Sequence, residues 1–203
     1  LLPRAAKAYL HMWEEPCISG TKGSGTVFFS GCSLKCCFCQ NYRISAENFG
    51  REITVKRLSE IFLELQDKGA HNINLVSPTH YVSQIIAALD MCRDKLHIPV
   101  AYNCGGYEKA ETIEMLRGYV DIFMPDMKYY SSELSKKYSA APDYFEYASK
   151  AIAKMIEIAG KPVFDENGIM QSGVIIRHMV LPTHRRDSEE VLKKLYELYG
   201  KDS

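Results

Sequence analysis

Cys32, Cys36 and Cys39 stand in the spacing C-x3-C-x2-C within the stretch Gly31-Cys32-Ser33-Leu34-Lys35-Cys36-Cys37-Phe38-Cys39-Gln40-Asn41. Three thiolates within eight residues can fold round one centre. A cubane iron–sulfur cluster that only carries electrons is normally closed by four cysteines. Three ligands leave one iron open to a small molecule, which suits substrate chemistry. Zinc is the competing reading, but zinc sites favour paired C-x2-C modules and a fourth ligand. No second pair of that kind occurs in the chain. Cys37 adjoins Cys36 and would spoil its chelate geometry, so it is left out of the ligand set. Cys17, Cys92 and Cys104 read as packing residues, with Cys104 in a loop expected to face a pocket.

Other polar residues follow apolar runs. Strands are predicted near 25–30, 72–77, 98–103 and 120–124, with a fifth over Val174–Leu181. Behind them come the cysteine loop, Ser77-Pro78-Thr79-His80, Asn103-Cys104-Gly105-Gly106, Asp126-Met127-Lys128 and Pro182-Thr183-His184. In parallel α/β folds such loops gather on one side, where pockets form. Asp126 and Lys128 are two apart, so on an extended segment they point the same way. Spacing alone leaves them as a surface ion pair or a pair facing the pocket. Arg177 and His178 alternate across the fifth strand, so one is expected to face inward, and Arg177 is assigned there. His80 and His184 read as solvated loop histidines. Gly20, Gly23 and Gly25 match no Walker spacing and precede a strand, so they read as flexible backbone.

The elements between these loops are helical. Leu58, Ile61, Phe62 and Leu65 form one stripe of a helix near 55–68, and Val82, Ile85, Ile86 and Leu89 a second. A short helix is predicted near 108–117. Asp143 and Glu146 have capping-box spacing for a long helix ending at Gly160. Asp187 and Glu190 are expected to cap a last helix carrying Val191, Leu195 and Leu198. The segment 160–173 reads as a hairpin or a loop. Repeated β-α units predict α/β architecture with a parallel sheet, either open or barrel-like. There is no internal repeat.

The 203 residues carry 25 basic and 25 acidic side chains, which suits one domain and gives no basic excess for nucleic acid. No apolar run approaches a membrane span. Seven cysteines, three of them in one loop, do not look like a secreted disulfide framework, so a reducing cytoplasmic setting is expected.

The cysteine motif, with Phe38 just before its last cysteine, resembles the radical S-adenosylmethionine (SAM) superfamily. Trp13-Glu14-Glu15-Pro16-Cys17-Ile18-Ser19-Gly20, His71 to His80 and Ile122 to Tyr130 resemble pyruvate-formate-lyase-activating-enzyme-like proteins. The resemblance implies a partial parallel (β/α)6-type barrel, here apparently lacking its last strand. It implies an N-terminal extension over 1–24 packing on a radical SAM core over 25–203. It implies a 4Fe-4S cluster on Cys32, Cys36 and Cys39, whose open iron is chelated by SAM. One-electron reduction then cleaves SAM to a 5′-deoxyadenosyl radical for hydrogen abstraction. Asp126 and Lys128 match a segment that contacts SAM, Lys128 at the methionine carboxylate and Asp126 at the ribose or a bound cation. Ser77-Pro78-Thr79 replaces the usual Gly-Gly-Glu segment at the methionyl amine, so Ser77 and Thr79 are expected there, with Asn103. Phe38 and Arg177 complete the expected cofactor-binding set. The implied partners are an electron donor such as flavodoxin or ferredoxin and a protein substrate, a glycyl-radical enzyme or another. A small-molecule or peptide-modifying radical SAM enzyme and a non-catalytic metal-binding module are the alternatives.

Overall fold

The computed structural model describes residues 2–200. Its strands are β1 (Arg4–His11), β2 (Ser24–Phe29), β3 (Arg51–Glu52), β4 (Ile73–Val76), β5 (Val100–Cys104), β6 (Ile122–Pro125), β7 (Val163–Phe164) and β8 (Met170–Val174). Its helices are α1 (Pro16–Ser19), α2 (Tyr42–Ser45), α3 (Val55–Asp67), α4 (Val82–Cys92), α5 (Ala110–Glu114), α6 (Ser132–Ser139), α7 (Tyr144–Ala159) and α8 (Arg185–Tyr199).

One sheet runs in the order β3-β1-β2-β4-β5-β6-β8-β7. Neighbours from β2 through β8 pair in parallel, and β3, β1 and β7 join antiparallel at the ends. The two end strands do not meet, so the barrel is partial, as expected for this α/β class.

Alternation decides what each strand buries. Val27, Phe29, Ile73, Leu75, Val100, Tyr102 and Phe123 enter the main core, where Leu58, Phe62, Leu65 of α3 and Ile85 of α4 cover them. Thr54 starts α3 by accepting a hydrogen bond from the Arg57 N–H at 3.0 Å, a cap that contributes about 1 kcal/mol. On the opposite, concave face, Ile18 of α1 packs with Ala101, Ile122, Met124 and Met170. Residues 4–11 lie within the sheet, with Tyr9 opposite Thr26.

The fifth parallel strand begins earlier than the apolar run suggested. Met170–Val174 forms β8, hairpinned to β7, and Gln171 and Ser172 hid it from a hydrophobicity reading. The run from Val174 follows β6 only as far as Arg177, through Ile175 N–H to Phe123 O and Arg177 N–H to Pro125 O, both 2.9 Å. Beyond it, Met179 and Val180 are exposed. Both expected acidic caps are used elsewhere. Asp143 accepts from the Tyr107 hydroxyl, and Asp187 from the Ser131 N–H, so neither closes its own helix. Helix α6, which no apolar stripe announced, is capped by the Ser131 hydroxyl.

Candidate active site

The carboxyl ends of β2, β4, β5 and β6 open onto one cavity of about 720 Å³. Cys32, Cys36, Phe38 and Cys39 line it from the loop after β2. Ser77 and Asn103 line it at the ends of β4 and β5, and Asp126, Lys128 and Arg177 close the ring. Thr79 is the exception among the expected residues. It lies off the cavity lining, and its hydroxyl donates to the buried Glu108 at 2.5 Å.

The charged groups form a chain. Lys128 Nζ donates to Asp126 Oδ2 at 2.6 Å, and Arg177 pairs with the other Asp126 oxygen at 3.1 Å. Arg177 also donates to Asn103 Oδ1 at 2.7 Å. Its far side meets Glu14 at 3.8 Å and Glu15 at 3.7 Å, beyond hydrogen-bond length. Burial opposes the Lys128 charge, yet the Asp126 carboxylate outweighs it and the ammonium titrates above its ordinary range. His178 lines the cavity as well, contrary to the expected either-or, because the backbone leaves regular strand geometry after Val174. Its Nδ1 contacts Met127 O at 2.6 Å.

The Asp126-x-Lys128 segment is held from behind. The buried Tyr144 hydroxyl shares its proton between Asp126 O at 2.7 Å and Gly105 O at 2.9 Å. It accepts from the Lys128 N–H at 2.9 Å. Gly106 has a φ of +79°, and a Cβ there would run into the Asp126 carbonyl. The loops after β5 and β6 can therefore approach this closely only with glycine at 106.

The three thiols fit an iron–sulfur cluster. Burial pushes the Cys32 and Cys36 thiols up. The Ser139 hydroxyl donates to Cys36 Sγ at 2.9 Å and Lys128 pulls both thiols only part of the way back. Among the described residues, no three His, Cys, Asp or Glu side chains stand at single-ion spacing. A tetrahedral zinc would need sulfurs roughly 4 Å apart, given Zn–S bonds of about 2.3 Å, whereas each thiolate of a cubane binds its own iron. Cys37 is exposed, and Cys104 is buried with its thiol pushed well up by that burial.

Glu14, Glu15, Ser139 and Tyr144 were not expected in the site. The first two sit in the Trp13–Gly20 stretch, whose adjacent acids before a proline were a usable signal. Tyr144 gave none, since its partners lie 16, 18 and 39 residues away.

A family model described as the Radical SAM superfamily matches residues 26–195. An uncharacterized protein of Methanocaldococcus jannaschii is 33% identical over 185 residues, covering 87% of this chain and 49% of that protein. The chain thus spans about half the length of this curated relative. Streptococcus suis SuiB bound to precursor peptide SuiA superposes with a TM-score of 0.55 at 19% identity, over 82% of this chain and 35% of that one. HydG, a maturase of the FeFe-hydrogenase, gives 0.54 at 17% identity, over 84% and 38%. At these identities the two structures speak for the fold.

Proposed function

The chain belongs to the radical SAM superfamily, and on that premise we propose that its cavity directs hydrogen abstraction onto a glycine of a partner polypeptide, as glycyl-radical activating enzymes do. A 4Fe-4S cluster and SAM, the cofactors of the superfamily, supply a 5′-deoxyadenosyl radical when bound. Cys32, Cys36 and Cys39 are the residues to hold the cluster. Lys128 offers the cation for the methionyl carboxylate, with Asp126 an acceptor for the ribose or a bound cation. Asn103 and the Ser77 turn face the methionyl amine, Phe38 gives an apolar wall, and Arg177 keeps Asp126 and Asn103 in place.

The observation that carries the reading is the shared cavity: the three cysteines and the Lys128–Asp126–Arg177 chain line the same space. The open sheet supports a macromolecular substrate, because the gap between β3 and β7 leaves a lateral approach. Trp13 and Met179 stand exposed on the cavity lining, as a docking peptide would require. The proposed reductant is a flavodoxin or ferredoxin and the proposed compartment a reducing cytoplasm. Among the described residues no helix is long and apolar enough to cross a membrane.

Anaerobic reconstitution followed by dithionite and SAM tests the reading. Slow release of 5′-deoxyadenosine and methionine is expected without substrate, and faster release with a glycine-containing partner. A preparation that takes up zinc but no iron, or that loads iron and never cleaves SAM, sinks it.

A further inference from the structure

Each of the three motif sulfurs has a hydrogen-bond donor of the chain beside it. The Leu34 N–H serves Cys32. The Ser139 hydroxyl donates to Cys36 Sγ at 2.9 Å. The Ser45 hydroxyl stands 3.2 Å from Cys39 Sγ. Behind Ser139 lies Tyr129, its hydroxyl 2.7 Å from the Ser139 oxygen. We infer that Ser45, and Tyr129 acting through Ser139, are positioning residues that raise the reduction potential of the cluster. The inference rests on the proposed function in one respect, that Cys32, Cys36 and Cys39 hold that cluster.

The direction of each bond follows from its acceptor. A ligating thiolate has no proton to give, so the Ser139 and Ser45 hydroxyls donate to it. The Ser139 proton is then spent on Cys36, and its oxygen is left to accept from Tyr129. Tyr129 is fully buried, and Ser139 is the partner of its hydroxyl. Two hydroxyls in series polarise one another, so the outer one strengthens the inner bond. Ser45 has a competing acceptor in Tyr42 O, but at 3.4 Å that contact is longer than an ordinary O–H···O bond.

The fold holds both arms against the cysteine loop. The last turn of α6 grips the loop through Lys35 N–H to Ser139 O at 3.0 Å and Cys37 N–H to Tyr138 O at 2.9 Å. Ala140 then adopts a left-handed φ of +56° and ends the helix at Ser139. From the other side, Gly31 N–H to Ile44 O at 3.0 Å ties α2 to the start of the loop and brings Ser45 to Cys39. Reduction adds one electron from an external reductant, with no bond made or broken. The added negative charge strengthens every donor bond to sulfur, so these donors favour the reduced state.

Potentiometric titration of the reconstituted chain with dithionite, without SAM, reads the midpoint by electron paramagnetic resonance. Ser45→Ala and Tyr129→Phe should each lower it while iron stays at about four per chain. For Ser45→Ala the shift should be up to about 59 mV, a tenfold fall in the ratio of reduced to oxidised cluster at a fixed potential. Tyr129→Phe should shift it less, because one residue intervenes. Ser45→Thr retains a hydroxyl and should keep the unmutated midpoint. In a Ser139→Ala background Tyr129→Phe should add nothing, whereas Ser45→Ala should add its full shift. Unchanged midpoints in Ser45→Ala and Tyr129→Phe overturn the proposal. So does a Tyr129→Phe shift that persists in the Ser139→Ala background, since the residue would then act by packing. Where a variant fails to load iron, the unmutated chain decides: reduced in H2O and in D2O, it should show exchangeable protons coupled to the cluster, and their absence overturns the proposal. Failure of the proposed function shows separately, as no iron uptake, or as no 5′-deoxyadenosine from a preparation whose midpoint still moves as described.

Discussion

The Tyr144 hydroxyl lies 2.9 Å from the Lys128 backbone nitrogen and accepts its proton, while its own proton goes to the carbonyls of Asp126 and Gly105. One side chain from α7 thereby fixes the backbone at both Asp126 and Lys128. Tyr144→Phe keeps the ring packing but leaves these groups without a partner. It should cost about 1–3 kcal/mol in urea unfolding and weaken SAM binding. Unchanged stability and SAM affinity would show that the hydroxyl only fills space.

Cys36→Ala should abolish the cluster, whereas Cys37→Ala should retain about four iron per chain. The two residues are adjacent, but Cys37 is exposed and Cys36 lines the cavity under the Ser139 hydroxyl. Ser139→Ala should lower the reduction potential, because a hydrogen bond to sulfur stabilises the reduced cluster. Iron analysis and a redox titration check both. Iron loss confined to Cys37→Ala would invert the ligand assignment.

Lys128→Ala should weaken SAM binding by about 1.5–3 kcal/mol, the range for a hydrogen bond to a charged group. Asp126 keeps Arg177 as a partner in this variant, so the fold should survive. Equilibrium dialysis with the reconstituted chain gives the affinity. No change would place Lys128 outside the SAM contact.

Glu108 is buried, its carboxyl pushed up to about 7 by that burial against the Thr79 hydrogen bond that lowers it. A folded-state value above the unfolded one means that the native chain binds the proton more tightly. Stability is therefore full below about pH 4.5 and falls as pH rises through 7, by an amount on the order of 3 kcal/mol. Glu108→Gln should flatten this fall and be the more stable chain at pH 8. Urea melts at pH 5.5 and pH 8 decide it, and parallel slopes for the two chains would rule the linkage out.

The sequence carried the order of elements because α3 and α4 bury clean stripes and β2, β4, β5 and β6 are short apolar runs. It carried the cysteine loop because three cysteines within eight residues are a local pattern. It misplaced β8, since Gln171 and Ser172 are polar residues in a strand held by backbone pairing to β6 and β7. It misjudged Asp143, which holds the N-cap position of α7 but gives its carboxylate to Tyr107, and Asp187, which lies inside the first turn of α8, whose N-cap is His184, and accepts from Ser131. Thr79, expected at the methionyl amine, lies off the cavity lining with its hydroxyl on Glu108, a partner 29 residues away that spacing does not announce. Such outcomes depend on contacts between distant segments, which spacing does not encode.

The Arg177–Asn103 hydrogen bond spans 74 residues and the Ser139–Cys36 contact spans 103. Contacts so far apart in the chain raise its contact order, which slows folding. The wall that faces the cysteines is therefore complete only with β8 paired beside β6. Small zinc domains fold around their metal. Here the cysteine loop is local and its facing wall is not, so a change that loosens the β6–β8 pairing should disturb the cavity without touching the three thiols.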